Sequence, residues 1–282
     1  MSQKPQLSEQ DEIFPIFSSH YSVLHSRSIL TLEKAEELEK NPQNDNQGCI
    51  PNSTPVSICS IAKLHKIDKL FLIDSSFSGF QEAYRNLTEI GTQLIFGIKI
   101  FVCDDVADKS DKGATNDNKI YLISKNKVGY QELIKVYSEA ATNGFYYYPR
   151  LDWSQLNKIS ENIEVWISFY DGFIHNNLLS YGVSIIPKFD NVRPKFCVEN
   201  HGLPFDSLIQ DGIDKFCGGT GFEKVETHQI YYYRNLDAKS YCVYRCINNR
   251  STLNKPNLSH FSSNRFSWES YDNSNPFFNY KI

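Results

Sequence analysis

Several features that would quickly assign a sequence to a class are missing from this one. No apolar run is long enough to cross a bilayer, and residues 1–6 lack the apolar core that a signal peptide requires. The 29 basic and 33 acidic side chains give a net charge of −4, so the positive surplus that usually accompanies phosphate-backbone binding is absent. We therefore expect a cytoplasmic protein with weak or no direct affinity for nucleic acid and none for membranes.

Signals for a disulfide framework and for common catalytic motifs are also missing. The chain has 7 cysteines, an odd and scattered set, which indicates reduced thiols. Cys242 and Cys246 lie four residues apart on a predicted helix, but no histidine or second cysteine pair lies nearby at zinc spacing, so we interpret them as buried thiols and not as a metal half-site. The glycine-rich segment 218–221 lacks the Lys-Ser/Thr of a P-loop and is interpreted as a turn. No Ser/His/Asp or Cys/His nucleophilic arrangement can be placed.

What the chain does contain is an alternation of β-rich and helical segments, which predicts a parallel sheet wrapped by helices. The predicted strands are residues 13–17, 69–74, 93–102, 119–124, 164–169, 195–199 and 224–230, and the predicted helices are residues 57–65, 80–90, 129–141, 206–216 and 235–249. Surface loops are predicted at 40–55 and 104–118, where apolar residues are few. At 282 residues, the chain is long enough for a single α/β barrel with a buried core.

Six segments carry a resemblance to a known family. They are residues 14–26, 71–79, 96–102, 126–133, 144–152 and 199–202. In this order they resemble the PHP (polymerase and histidinol phosphatase) domain at the N-terminus of bacterial DNA polymerase III alpha subunits. The best match is Asn-x-x-Gly-Tyr-x-x-Leu followed by Gly-Phe-Tyr-Tyr-x-Pro-Arg-x-Asp. The resemblance implies an α/β fold, a distorted (β/α)7 TIM-like barrel over residues 12–270, with tails at 1–11 and 271–282.

The resemblance also implies where a metal centre would lie. Active members of the family hold clustered divalent cations with His, Asp, Glu and Cys side chains at the ends of the barrel strands, and the cations activate water and neutralise a phosphodiester. At the corresponding positions this chain carries Ile16, Ser18, His25, Ser75, Lys99, Lys119, Tyr170, Gln229 and Tyr231. Only the histidine can still bind a metal, and a charged lysine repels cations because it has no lone pair. We therefore expect no metal centre, no cofactor and no catalytic residues.

The substituted positions leave several interpretations open. In the first, Lys99 replaces the lost metal charge and pairs with a remaining acid such as Asp74. In the second, an anion pocket forms, and its members are Lys99, Lys119, Ser18, Ser75 and Tyr231. A rebuilt, shifted metal site using His20 and His228 is a third alternative. His201, in an Asn-His-Gly-Leu-Pro turn, is interpreted as a hydrogen-bonding loop residue.

The function implied by the resemblance is that of a catalytically inactive PHP-like domain, an interaction or structural module in DNA replication or repair. Its implied partners are DNA polymerase or proofreading exonuclease subunits. Because the chain ends where the family's polymerase portion would begin, we expect a stand-alone pseudoenzyme that cannot polymerise DNA. The alternatives are a residual metal-dependent phosphoesterase or 3′–5′ exonuclease acting on nucleic-acid ends, and an anion or nucleotide binder. The tail aromatics Phe277 and Phe278 either anchor in a partner or fold back onto the barrel.

Overall fold

A computed structural model describes residues 13–18, 57–110, 118–179, 186–248, 250–255 and 261–274. The predicted loop at 40–55 and the histidines His20 and His25 lie outside these residues. The strands are β1 (Phe14–Phe17), β2 (Lys69–Asp74), β3 (Gln93–Cys103), β4 (Asn118–Ser124), β5 (Arg150–Asp152), β6 (Ile163–Ile167), β7 (Lys195–Val198) and β8 (Lys224–Ile230). The helices are α1 (Ile58–His65), α2 (Phe80–Glu89), α3 (Lys127–Thr142), α4 (Trp153–Leu156), α5 (Phe173–Leu179), α6 (Asp206–Thr220), α7 (Ala238–Asn248) and α8 (Trp268–Ser274), with a 3-10 turn at Asn235–Asp237 before α7.

The chain divides into two compact units. Of the described residues, those within 13–14, 97–199 and 205–227 form unit 1, and those within 15–96, 200–204 and 228–274 form unit 2. In unit 1, β3 and β6 both pair antiparallel with β4, β5 pairs parallel with β3, and β7 pairs parallel with β6 and β8. In unit 2, β1 and β2 pair in parallel, with Ile16 opposite Phe71 and Phe17 opposite Leu72.

The strand order confirms the predicted fold class and corrects one detail of it. Pairing follows the order β2-β1-β8-β7-β6-β4-β3-β5, and β2 also pairs with β3, so the order closes on itself as in a distorted TIM-like α/β barrel. The expectation of a parallel sheet is wrong at β4, which runs antiparallel to both of its neighbours. Parallel neighbours need a long crossover, usually a helix, and the described residues 104–110 of the β3–β4 connection contain none.

Local capping chemistry explains where the helices begin and end. The Asn126 side chain accepts a hydrogen bond from the backbone N–H of Gly129 at 2.9 Å and so starts α3. The Asp152 side chain caps α4 in the same way, in a reciprocal capping box with Gln155. Helix α6 ends at Gly221, whose φ of 72° is accessible to glycine. The turn predicted for residues 218–221 is therefore wrong for 218–220, which continue the helix.

Each unit has its own aromatic core. In unit 1, Phe173 lies 5.2 Å from Phe216 and 6.0 Å from Phe196, measured between ring centroids. In unit 2, Trp268 of α8 stacks on Phe17 with ring centroids 5.8 Å apart. Helix α8 continues past the predicted domain boundary at residue 271, and Tyr271 is buried. Among the described residues, no helix combines the length and apolar character needed to cross a membrane.

Candidate functional site

The positions that correspond to the family's metal ligands are distributed over both units. Unit 1 contains Lys99 on β3, Lys119 on β4 and Tyr170 after β6, and unit 2 contains Ile16 on β1, Ser18 after β1, Ser75 after β2, Gln229 on β8 and Tyr231 after β8. His25 lies outside the described residues. The members of the hypothetical anion pocket are divided in the same way, two lysines in unit 1 and three neutral residues in unit 2, and that hypothesis stays a prediction.

In unit 1, Lys119 forms an ion pair with Asp171, the residue that directly follows Tyr170. Its Nζ donates to Oδ2 of Asp171 in an ion pair. The backbone reinforces the contact, because the N–H of Lys119 donates to the carbonyl of Asp171 at 2.8 Å. Asp171 has a φ of 61°, a conformation that costs a residue other than glycine about 1–2 kcal/mol. The surrounding structure therefore holds this carboxylate in place against Lys119, and any incoming anion must compete with it.

Tyr170, at another of the family's metal positions, is hydrogen-bonded to a second carboxylate of unit 1. Its hydroxyl donates to Oδ1 of Asp206 at 2.9 Å, and both side chains are buried. Asp206 is the first residue of α6, where the positive end of the helix dipole stabilises a carboxylate. The Tyr170 carbonyl accepts from the Ser168 hydroxyl at 2.6 Å, and Ser168 also contacts the Tyr121 hydroxyl at 2.9 Å. A buried polar network thus occupies this position.

Lys99 and the acid proposed as its partner belong to different units. Lys99 is half-buried on β3 and stands opposite Tyr121 in the β3–β4 register. Asp74 ends β2 in unit 2, and its Oδ1 accepts from the backbone N–H of Ser75 at 2.6 Å and from the Ser75 hydroxyl at 3.3 Å. Asp74 thus bonds to Ser75, which stands at one of the family's metal positions. The pairing of Lys99 with Asp74 remains a prediction.

In unit 2, the substituted positions are neutral. The Tyr231 hydroxyl donates to Oε1 of Gln229. The Tyr231 ring stacks on Tyr241 at 5.0 Å and on Phe266 at 5.3 Å between centroids. Ile16 is buried and offers no donor atom. The unit 2 positions Ile16, Gln229 and Tyr231 are therefore occupied by apolar and aromatic contacts and by a neutral hydrogen bond.

Two histidines lie beside these residues in unit 2. The His201 and His228 ring centroids are 4.5 Å apart, and both residues are buried. Burial, followed by repulsion from His201, lowers the pKa of His228 to about 3, and hydrogen bonds to the backbone at Arg265 and Ser267 act in the opposite direction. His201 bonds through Nδ1 to the Arg265 carbonyl at 3.2 Å, which confirms its interpretation as a hydrogen-bonding loop residue. His228 is therefore a neutral imidazole at physiological pH.

The side chains at these positions do not fit the metal cluster of the active family members. Ile16 has no lone pair, Lys119 is a cation paired with Asp171, and the Tyr170 hydroxyl is bonded to Asp206. Within the described ranges, no group of three or more His, Cys, Asp or Glu side chains could hold a metal ion. The hypothetical rebuilt metal site uses His20 and His228. Because His20 lies outside the described residues, that alternative stays a prediction.

The sequence analysis missed the two acidic residues of unit 1 that bind the side chains at the metal positions. Asp171 and Asp206 carry no spacing signal, because one follows Tyr170 in a loop and the other is separated from it by a strand and a helix. Their roles depend on the contacts with Lys119 and Tyr170, which only the folded chain brings together. A search for an acid adjacent in sequence to each substituted position would have found Asp171 but not Asp206.

The motif with the best match to the family is structural. Arg150 of the Gly-Phe-Tyr-Tyr-x-Pro-Arg segment is fully buried, and its guanidinium donates to the carbonyls of Gly144 at 3.2 Å and Asp108 at 3.1 Å. A Cβ added to Gly144 would lie 1.9 Å from the Arg150 carbonyl oxygen, so only glycine fits there. Arg150 and Gly144 of this motif thus contribute to the packing of unit 1.

Comparison with known proteins gives one family and a consistent set of relatives. The profile of the PHP domain family matches residues 52–192, half of the chain. The DNA polymerase III subunit alpha of Thermus aquaticus is 25% identical over 198 residues, which are 67% of this chain and 16% of that protein. The subunit of the same name from Borreliella burgdorferi is 22% identical over 225 residues, 74% of this chain and 19% of that protein. That of Chlamydia pneumoniae is 32% identical over 87 residues, 30% of this chain and 7% of that protein. The chain therefore spans less than a fifth of the length of these relatives.

Proposed function

The chain belongs to the PHP domain family, and from that membership we propose that it is a catalytically silent PHP domain acting as an interaction or structural module in DNA replication or repair. Its kinship with DNA polymerase III alpha subunits, expected from six sequence segments, is confirmed by the matched relatives. The lack of catalytic activity and the role in assembly are our proposals.

One observation supports the proposal that the domain is catalytically inactive. Residues at the family's metal positions bond to protein groups of their own unit. Lys119 pairs with Asp171, Tyr170 bonds to Asp206, and Tyr231 bonds to Gln229. Hydrolysis of a phosphodiester by this family's chemistry needs clustered cations. Lone pairs for such a cluster are missing at Ile16 and at a charged lysine. A hydrolytic role would thus require a centre different from that of the family.

The proposed role in assembly follows from what a silent domain can still do. A domain without a reaction centre acts through binding, and the matched relatives are polymerase subunits. We therefore propose polymerase or proofreading exonuclease subunits as the partners. Such partners would place the protein in the cytoplasm, where the interpretation of its cysteines as reduced thiols also fits.

Elemental analysis and a nuclease assay test the proposed silence. Purified full-length protein is expected to hold no stoichiometric zinc, manganese or iron and to leave a 3′-labelled single-stranded oligonucleotide intact. An active relative, assayed in parallel, controls for the conditions. Near-stoichiometric metal together with nuclease activity that a chelator abolishes would contradict the proposal and favour the residual phosphoesterase.

Co-purification tests the proposed partners. Tagged protein recovered from its native host at moderate ionic strength is expected to retain polymerase or exonuclease subunits, identified by mass spectrometry. A chain truncated after residue 274 keeps all of α8 and removes Phe277 and Phe278. Lost partners with unchanged melting temperature would assign the anchor to the tail, whereas a lowered melting temperature with retained partners would assign the aromatics to the fold. Recovery of neither subunit class by the full chain would contradict the assembly role.

A further inference from the structure

Two aromatic side chains of the segment 144–149 in unit 1 are exposed. Phe145 is 50% exposed and Tyr147 is 69% exposed. Tyr146, between them, is half-buried, and its ring centroid lies 5.2 Å from the guanidinium carbon of the buried Arg150. Folding usually removes large aromatic rings from water, and aromatic residues at the surface are enriched where proteins bind one another. Phe145 and Tyr147, the aromatic pair, are therefore a candidate docking site.

The backbone fixes the more exposed ring of the pair in place. Tyr147 has a φ of 60°, in the left-handed region that is unfavourable for residues other than glycine. The N–H of Tyr146 donates to the carbonyl of Tyr148 at 3.2 Å and closes the turn around it. The Tyr148 ring packs on Phe101 of β3, with ring centroids 4.3 Å apart. Tyr147 is thus fixed between two anchored neighbours, although its own ring gains little from burial.

The segment beside the aromatic pair is acidic. Residues 104–110, the acidic loop, contain three aspartates and one lysine. The Arg150 guanidinium joins this loop to the aromatic segment, because it donates to the carbonyls of Gly144 at 3.2 Å and Asp108 at 3.1 Å. The exposed carboxylates of Asp105 and Asp108 each accept from a backbone N–H two residues further on, at 2.8 and 2.9 Å respectively. These bonds orient the two carboxylates.

One short segment of a ligand can reach both features. The Tyr147 ring lies 4.5 Å from the Tyr146 ring, measured between centroids. The Tyr146 ring lies 5.2 Å from the guanidinium that binds the acidic loop. At about 3.3–3.6 Å per residue, an extended chain of about four or five residues covers this path. The aromatic pair and the acidic loop can therefore act as one surface.

The charge of the loop selects between two classes of ligand that stack on aromatic rings. Nucleobases stack on such rings, but they are attached to phosphates, which aspartates repel. An arginine guanidinium stacks on the same rings and is attracted by carboxylates. The combination of exposed rings and aspartates therefore fits a basic protein segment and disfavours a single-stranded nucleic acid.

We propose that the aromatic pair and the acidic loop form a docking surface for an extended, arginine-containing segment of a partner protein. An arginine of that segment stacks on the Tyr147 ring, and neighbouring basic side chains pair with Asp105 and Asp108. The inference rests on the proposed role as an interaction module, and it adds the location of one surface and the chemistry of the partner.

Binding of a short fluorescent peptide, in which arginine alternates with serine, tests the surface in full-length protein. A peptide with lysine in place of arginine has the same charge and is the matched control. The arginine peptide is expected to bind more tightly, because lysine lacks the planar group that stacks on a ring. A single-stranded oligothymidylate should bind more weakly than either peptide. Fluorescence anisotropy measures all three.

Substitutions separate binding from folding. Tyr147→Asn should weaken binding of the arginine peptide about 10-fold or more and leave the melting temperature unchanged or raised, because asparagine tolerates the left-handed conformation. Asp105→Asn keeps an oxygen that can accept the backbone hydrogen bond and removes the charge. It should weaken binding by about 2- to 5-fold, less at high salt. Tyr84→Ala removes a 54% exposed ring from α2 of unit 2 and should bind as the parent does.

The peptide assay can overturn the surface in four ways. They are absence of peptide binding, equal binding by the parent and Tyr147→Asn, tighter binding of the oligothymidylate, and a dimer of the parent that this substitution dissociates. The last two would assign the rings to a nucleic acid and to a second copy of the chain, respectively.

Co-purification from the native host separates this surface from the proposed function. If the parent recovers polymerase or exonuclease subunits, Tyr147→Asn should lose them; equal recovery would overturn the surface and leave the assembly role intact. If the parent recovers neither subunit class, the assembly role fails, and the peptide assay alone decides whether the surface binds arginine.

Discussion

The two units differ in the charge of the side chains at and beside the family's metal positions. In unit 1, Lys119 forms an ion pair with Asp171, and the Tyr170 hydroxyl donates a hydrogen bond to the carboxylate of Asp206. In unit 2, Gln229 and Tyr231 bond to each other as neutral groups, and burial keeps His228 uncharged by lowering its pKa to about 3. At the positions of the family's ligands, unit 1 therefore places polar and charged side chains against carboxylates, whereas unit 2 places neutral side chains.

If the domain lacks the family's metal cluster, as proposed, the difference illustrates two ways in which a fold can adapt to that loss. A cation cluster neutralises the acids around it, so a chain without one must either supply positive charge or carry fewer charged groups. Lys119 is an example of the first solution, and Ser75 and Tyr231 are examples of the second. Unit 1 should consequently be sensitive to substitutions of charged partners, and unit 2 to pH.

The largest expected effect is a pH dependence that originates in unit 2. The pKa of His228 falls from 6.5 to about 3 on folding, so the unfolded chain takes up a proton at a pH where the folded chain does not. Stability is therefore fully present above pH 6.5 and is lost as the pH falls toward 3, by up to about 1.4 kcal/mol per pH unit. Urea unfolding at several pH values should show this slope, and His228→Asn should reduce it. An unchanged slope in the variant would assign the acid sensitivity to groups other than His228.

Removal of one hydroxyl from unit 1 should have the next largest effect. Tyr170→Phe deletes the donor to a buried carboxylate, and a hydrogen bond to a charged group contributes about 1.5–3 kcal/mol. Tyr231→Phe, which removes the neutral bond to Gln229, is the control and should cost about 1 kcal/mol or less. Chemical denaturation measures both. Equal losses would mean that the two units do not differ in their dependence on charge.

Charge reversal at Lys99 examines whether this lysine replaces a metal charge. Lys99→Glu places a carboxylate, one of the family's ligand types, at this position and should destabilise the fold by about 1–3 kcal/mol, because the half-buried position then lacks its positive charge. We expect no gain of stoichiometric metal, since the other positions still lack ligands. Lys99→Gln serves as the control for charge removal alone. A melting temperature unchanged within error would show that Lys99 is merely solvated.

The smallest of these effects is expected for the partly exposed ion pair between Lys119 and Asp171. The side chains of Lys119 and Asp171 are 17% and 39% exposed, so water screens the pair, and Lys119→Met should cost less than about 1 kcal/mol. The loss should shrink further at high salt. A loss above about 2 kcal/mol would place the pair among the buried, strongly coupled interactions and would strengthen the contrast with unit 2.

Much of the fold was predictable from local patterns. Strands such as β2 and β8 were predicted at their observed bounds, because continuous apolar or alternating residues distinguish them. Four described elements were missed, namely β5, α4, α5 and α8. With three and four residues, β5 and α4 are too short for periodicity to register. Helix α8 depends on the burial of Trp268 and Tyr271, a tertiary effect in a polar segment.

The sequence by itself determined the family and the fold class, because the segments 126–133 and 144–152 can be read without coordinates, and it predicted which positions lack the family's ligands. Only the tertiary structure decided what replaces those ligands. Asp206 meets Tyr170 across 36 residues of chain, and the orientation of β4 depends on its two neighbours. Hydrogen bonds and burial between residues distant in sequence depend on packing, and a pattern of neighbouring residues does not encode them individually.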